Sequence, residues 1–429
     1  MQFHYQNTAL VSEQEIVTTA QSLQDYVLHL QDVVKQQSYT ADESSINLPS
    51  DEELLDMVQK LSVKKKTDNL KYMVVVGIGG SNLGTKAIYD ALFGYYDLLE
   101  PNRFPKMIFL DTQDDAVLHH LQSLIKTLNS KDEILINAIS KSGGTTETMT
   151  NLEVLSSFFE KRFGSSEDRI VFTTDKGSKM HQKALELKID TLTLPVKVGG
   201  RYSVLSAVGL FPLSVCGIDI TNLRSGAVKM RDICVNYDIK NNPALLSAAI
   251  SFLHSQKKRN INNHFFFAPQ LESLGKWYRQ LMGESIGKEG KGITPMVSIG
   301  STDLHSVGQL YLGGPKDKLT TFVYNTHPLH EVIVANIMKF GLVEAIKNMP
   351  VSRIVRAIVE GTKIAYHKQR LPFVEIVLDR VGERELGAFL QYKMIEMMYL
   401  GKFFGVNAFD QPHVELYKTE TKHILVQGR

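Results

Sequence analysis

Two glycine-rich runs, one arginine and one glutamate stand out as residues that could act on a small anionic molecule. The first run is Gly77-Ile78-Gly79-Gly80-Ser81-Asn82-Leu83-Gly84, directly after Val74-Val75-Val76. Glycines at such a turn let the backbone approach an anion, and a helix that starts there offers free N–H groups. A dinucleotide fingerprint would need glycine where Asn82 stands, and GxxxxGK[ST] is absent. Gly80 and Ser81 therefore point to a single phosphate, against the plainer reading of a tight strand–helix turn. The second run, Ser140-Lys141-Ser142-Gly143-Gly144-Thr145, follows another apolar stretch. Hydroxyl and backbone donors suit phosphate oxygens, and Lys141 adds a full charge. Thr145 has the competing duty of capping the next helix. Two such loops at strand ends in one domain imply a phosphomonoester pocket, because ligands of open α/β sheets sit beyond the carboxyl ends of strands.

Arg201 lies between Gly199-Gly200 and an apolar stretch. A fixed cation there could stabilise a developing oxyanion, and a structural ion pair is the alternative. Glu284 stands between Gly283 and Gly287, at the end of a helical run with Trp277 and Tyr278. A partly buried glutamate can serve as a base. Gly287-Lys288 is no P-loop, since Glu289 follows it. His305 sits in Ser301-Thr302-Asp303-Leu304-His305-Ser306 beyond an apolar run, and Gln411 and Lys418 sit in a polar stretch near the C-terminus. On composition alone Glu284, His305 and the 410–418 stretch would remain surface residues. HExxH and GxSxG are absent, and His119-His120 would diverge by about 100° on a helix, so no metal site is expected.

The elements that must position these groups follow from hydrophobic rhythm. Ser12 with Glu15 reads as a capping box before Ile16, Leu23, Val27, Leu30 and Val34 at helical spacing. Residues 37–50 read as a polar loop, and Ser50 with Glu53 as the cap of a second helix. From residue 72 short apolar runs alternate with helical stretches: 72–76, 107–110, 134–139, 169–172 and 191–194, then 264–267, 296–299, 320–324 and 373–378. Such alternation predicts βα units and parallel sheets, here two doubly wound α/β domains with flanking helices. The expected division is a helical extension over 1–70, a first domain over 71–217, a second over 218–405, whose last helix spans 383–404, and a C-terminal segment over 406–429.

The 429 residues are 43% hydrophobic and 22% charged, an ordinary globular balance. Lys plus Arg is 48 and Asp plus Glu is 46, a net charge of +2, which leaves no field for nucleic acid or a membrane face. No apolar run approaches the ~18 residues of a membrane helix, and the opening residues lack the pattern of a secretory signal. Cys216 and Cys234 lack CxxC spacing and read as reduced thiols of a cytoplasmic protein.

Taken in order, VGIGGSNLG, SKSGGTTET, GGRYSVLSAVG, GESIGKEGKG, STDLHSVGQ and FDQPHVELYK resemble the glucose-6-phosphate isomerase family, from Val76 to Lys418. The length and STDLHS are similar to its shorter bacterial branch. The resemblance implies two sugar-isomerase-type domains, no cofactor, and reversible conversion of D-glucose 6-phosphate to D-fructose 6-phosphate in glycolysis and gluconeogenesis. It implies that Gly80, Ser81, Ser140, Lys141, Ser142 and Thr145 hold the sugar phosphate, and that Gln280 and Gln411 touch substrate. Glu284 would move the proton between C1 and C2, with Arg201 beside the enediolate. His305 and Lys418 would assist ring opening. His305 would come from a neighbouring subunit of a homodimer. Ser142-Gly143-Gly144 departs from the bulkier version of its loop. Two other readings are an isomerase for a different sugar phosphate and a non-catalytic sugar-phosphate sensor. The presence of Glu284, His305 and Lys418 weighs against the sensor.

Overall fold

A computed structural model describes residues 1–427. Its strands are β1 (Gln2–His4), β2 (Tyr72–Val76), β3 (Lys106–Leu110), β4 (Ile134–Ile139), β5 (Ile170–Asp175), β6 (Asp190–Leu194), β7 (Ile261–Phe266), β8 (Thr294–Ile299), β9 (Lys318–Asn325) and β10 (Phe373–Leu378). They form two five-stranded sheets, ordered β3-β2-β4-β5-β6 and β8-β7-β9-β10-β1. Every pairing is parallel except β1 against β10. All residues of β4 and β10 are buried, as expected of parallel strands covered on both faces.

The sheets share one plan. In each, the first parallel strand is flanked by the second on one side and the third on the other. The order thus reverses between β2 and β4, and again between β7 and β9. Such reversals open crevices at the carboxyl ends of the strands. In the second sheet β1 takes the place that β6 holds in the first.

The stretch expected to be a helical extension therefore also contains a strand of the second sheet. Burial pushes the His254 imidazole down to about 4, so the ring is neutral, and its Nε2 lies 2.7 Å from the Ala9 carbonyl. That contact ties the residues after β1 to the helix Pro243–Gln256. The capping box is present: Ser12 Oγ accepts from Glu15 N at 3.2 Å, and the Glu15 carboxylate accepts from Ser12 N at 3.0 Å. The helix expected to continue through Val34 breaks at Leu23, giving Glu13–Gln21 and Gln24–Gln36. The next helix, Glu52–Lys65, is capped by Asp51 and not by Ser50: Asp51 Oδ1 accepts from Leu54 N at 2.9 Å, while the Ser50 hydroxyl donates to Asn47 O. Residues 44–49 are buried in a 3-10 turn, so this part of 37–50 is not a solvated loop.

The helix Glu383–Phe404 is buried along almost its whole length and packs against Ile220–Cys234, Pro243–Gln256 and Glu272–Ile286. It is the central pillar that holds Glu272–Ile286, the helix bearing Glu284, against the second sheet. Among the described residues no helix is long and apolar enough to cross a membrane. Between β9 and the helix Val351–Lys368 the chain is mostly irregular and exposes Leu329, Val332, Ile337, Phe340 and Leu342.

Candidate active site

The two anion loops leave the adjacent strands β2 and β4, at the first reversal of strand order. A β-carbon on Gly77 would lie 3.1 Å from the Ile139 carbonyl, so the loops start side by side. Gly79–Ser81 forms a single 3-10 turn before the helix Leu83–Leu92. Gly80 must be glycine: a β-carbon there would lie 2.1 Å from the Gly200 carbonyl carbon. This close approach brings the loop carrying Ser81 against the loop carrying Arg201.

The second loop is shaped by its own hydroxyls. Ser140 Oγ accepts from Gly143 N at 3.1 Å and lies 3.1 Å from Thr145 Oγ1. Ser142 Oγ accepts from Gly144 N at 3.3 Å. Thr145 stands at the cap position of the helix Thr146–Phe163, but its side chain makes no cap hydrogen bond. The competing capping duty is thus not realised. Lys141 Nζ donates to the carbonyls of Val196 and Val198 at 2.7 and 3.1 Å, just before Gly199. An ammonium has three donors, so one remains for an anion. Burial raises the pKa of neighbouring Asp175, and the Lys141 charge opposes that rise.

Arg201 is 2% exposed and saturates its guanidinium. Nε donates to Ser285 Oγ at 2.9 Å, and Nη2 to the carbonyls of Ala408 and Asp410 at 2.6 and 2.9 Å. Nη1 donates to Gln411 Oε1 at 2.8 Å and to Glu284 Oε2 at 3.3 Å. A buried cation needs this complete set of partners. Its carboxylate partner among the described residues is Glu284 itself.

Glu284 is held from the other side by its own helix. Gln280, one turn earlier on the same face, donates from Nε2 to Glu284 Oε1 at 3.0 Å. A β-carbon on Gly79 would lie 2.9 Å from that same Nε2, so Gln280 bridges the glutamate and the first anion loop. The Gln280 Oε1 is buried without a hydrogen-bond partner among the described residues. The Glu284 side chain keeps 29% of its surface exposed, so a substrate can reach it. Gly80, Gln280, Glu284, Arg201 and Gln411 therefore converge on one place.

A fixed carboxylate beside a buried guanidinium, next to two strand-end loops rich in backbone and hydroxyl donors, suits proton transfer on a small anionic molecule. The phosphoglucose isomerase profile matches residues 49–318. The chain belongs to the phosphoglucose isomerase family. A glucose-6-phosphate isomerase of Methanocaldococcus jannaschii is 36% identical over 359 residues, covering 83% of this chain and 85% of the relative. A solved structure of a hypothetical protein from Thermus thermophilus superposes with TM-score 0.88 at 27% identity, covering 99% of both chains. A glucose-6-phosphate isomerase structure from Chlamydia trachomatis shares the fold, with TM-score 0.81 at 19% identity over 99% of this chain and 88% of its own. Like its family, the chain is an aldose–ketose isomerase.

In this phosphoglucose isomerase fold two expected groups stand apart from Glu284. His305 is exposed on the short helix Thr302–Ser306, beyond the end of β8. Lys418 lies on the helix Val414–Gln427, which has no buried residue, and its ion pair among the described residues is with Glu415 at 2.8 Å. Among the described residues no hydrogen bond or ion pair joins either one to the Glu284–Arg201 cluster. Sequence reasoning missed Ser285, which is fully buried and accepts from Arg201 while touching the Tyr202 hydroxyl at 3.0 Å. Its position beside Glu284 was the available signal. It also missed the pairing of Lys288 with Asp410.

Proposed function

We propose that the chain interconverts D-glucose 6-phosphate and D-fructose 6-phosphate by moving one proton between C1 and C2 on Glu284. The observation that carries this reading is the Glu284 carboxylate, held on one oxygen by Gln280 and on the other by Arg201. One base suffices for the carbon-bound proton, which is taken from C2 and returned at C1, while the hydroxyl proton of O2 passes to O1. The intermediate is an enediolate, and the fixed positive charge of the buried Arg201 guanidinium beside Glu284 stabilises it. The conversion is redox-neutral within the sugar, so it balances without an external electron acceptor.

Gly80, Ser81, Ser140, Lys141, Ser142 and Thr145 hold the phosphate at the first strand reversal, and Gln280 and Gln411 contact the sugar. Lys141→Ala is expected to raise KM roughly 10- to 100-fold with kcat little changed, the worth of one charge-assisted hydrogen bond. Steady-state kinetics with glucose 6-phosphate check this, and an unchanged KM would exclude the lysine from the pocket. His305 and Lys418 assist ring opening, with His305 supplied by the second copy in a homodimer. Support comes from the exposure of His305 and of the helix Val414–Gln427, which fits a site completed across an interface. The buried, unbridged Cys216 and Cys234 suit a reducing cytoplasm.

The test is isomerisation in heavy water. Glucose 6-phosphate should yield fructose 6-phosphate, and reisolated glucose 6-phosphate should carry deuterium at C2. Failure to form the ketose would overturn the assignment.

A further inference from the structure

The stretch Gly287-Lys288-Glu289-Gly290-Lys291 takes no part in the chemistry described so far. It forms a tight turn in which Lys291 N donates to Lys288 O at 2.8 Å and Lys288 N donates to Lys291 O at 3.2 Å. The turn follows directly on the helix that carries Glu284.

Both of its lysines reach the segment that leads to Gln411. Lys291 Nζ donates to the Phe404 carbonyl at 3.0 Å, at the end of the helix Glu383–Phe404. Lys288 is only 7% exposed; its Nζ donates to the Asn407 carbonyl and to Ser285 O at 3.2 Å, and pairs with Asp410 Oδ1 at 3.0 Å. All three ammonium hydrogens are thereby used. Burial pushes the Lys288 pKa down, and Asp410 pulls against that shift.

Burying an ammonium is unfavourable, and an apolar side chain could fill such a position without that desolvation. What the charge provides is a hold on residues 407–410. Those same residues present the Ala408 and Asp410 carbonyls to Arg201 Nη2, and Gln411 follows to meet Nη1. Lys288 and Arg201 thus both hold the one short turn.

We infer that Lys288 is a positioning residue for the isomerisation: it clamps the 407–411 turn so that its carbonyls and Gln411 fix the Arg201 guanidinium against Glu284. This rests on the reading of Glu284 and Arg201 given above. The clamp acts on the groups that meet the enediolate, and among the described residues no hydrogen bond or ion pair joins Lys288 to the 140–145 loop, so its loss falls on kcat.

The parent chain and the variants Lys288→Met, Gln411→Ala and the double variant are assayed side by side with glucose 6-phosphate. Turnover by the parent tests the function itself; the ratio of variant to parent tests the clamp. Lys288→Met should lower kcat about 10-fold or more, with KM within about threefold of the parent. The double variant should be no slower than its slower single parent by more than about threefold, since both changes act through one turn. Losses that multiply, or a Lys288→Met enzyme with parental kcat, overturn the inference. Should Lys288→Met fail to fold, Asp410→Asn removes the half-exposed end of the clamp. It should show the same kcat-selective loss, and an unchanged kcat there overturns the inference equally.

Discussion

Glu284→Gln is expected to lower kcat by roughly 1000-fold, within the range that positioned acid–base groups contribute. The amide is nearly isosteric and its oxygen can still accept from Arg201 Nη1, so the loss isolates basicity from shape. The side chain sits partly exposed at the end of Glu272–Ile286, where the change empties no core. KM should stay within about threefold, because the residues proposed to hold the phosphate lie on other loops. Deuterium incorporation at C2 should fall in parallel with kcat. A variant that keeps near-parental turnover would reduce Glu284 to a structural partner of Arg201.

The second large effect concerns which copy supplies His305. His305→Ala alone should be slowed on the order of 100-fold if the imidazole assists ring opening. When Glu284→Gln and His305→Ala chains are co-expressed in equal amounts, half of the dimers pair one of each. In each mixed dimer one site combines an intact Glu284 with an intact His305 from the other chain. Activity should therefore recover to about a quarter of the parental level, given a two-fold symmetric dimer with shared sites. Should His305 serve its own chain, every site carries a lesion and the mixture stays as slow as its components.

Much of this was legible along the chain. The expected strands at 72–76, 134–139 and 373–378 match β2, β4 and β10 to the residue, since buried parallel strands are uninterrupted apolar runs between turn signals. β1 was not visible: three residues carry no period, and the strand exists only because β10 offers an open edge. The Ser50 cap failed for a local reason. Asp51 stands one residue later and is an equally good cap, and spacing does not decide between them. At the site, residue types and strand-end positions pointed to the two loops, whereas on composition alone Glu284 stood as a surface residue and only the family resemblance gave it a role. The contacts of Arg201 with Ser285, Ala408, Asp410 and Gln411 cross more than eighty residues of chain, and no local pattern encodes them.

The short antiparallel β1 deserves a different accounting from the rest of the second sheet. Gln2–His4 contributes little buried surface of its own, with only Phe3 less than exposed. It occupies the hydrogen-bonding side of β10, a strand whose every residue is buried. An uncovered strand of that kind is a template for recruiting other chains. Those three residues therefore close an edge that would otherwise be open to pairing, and their removal is expected to show in self-association before it shows in catalysis.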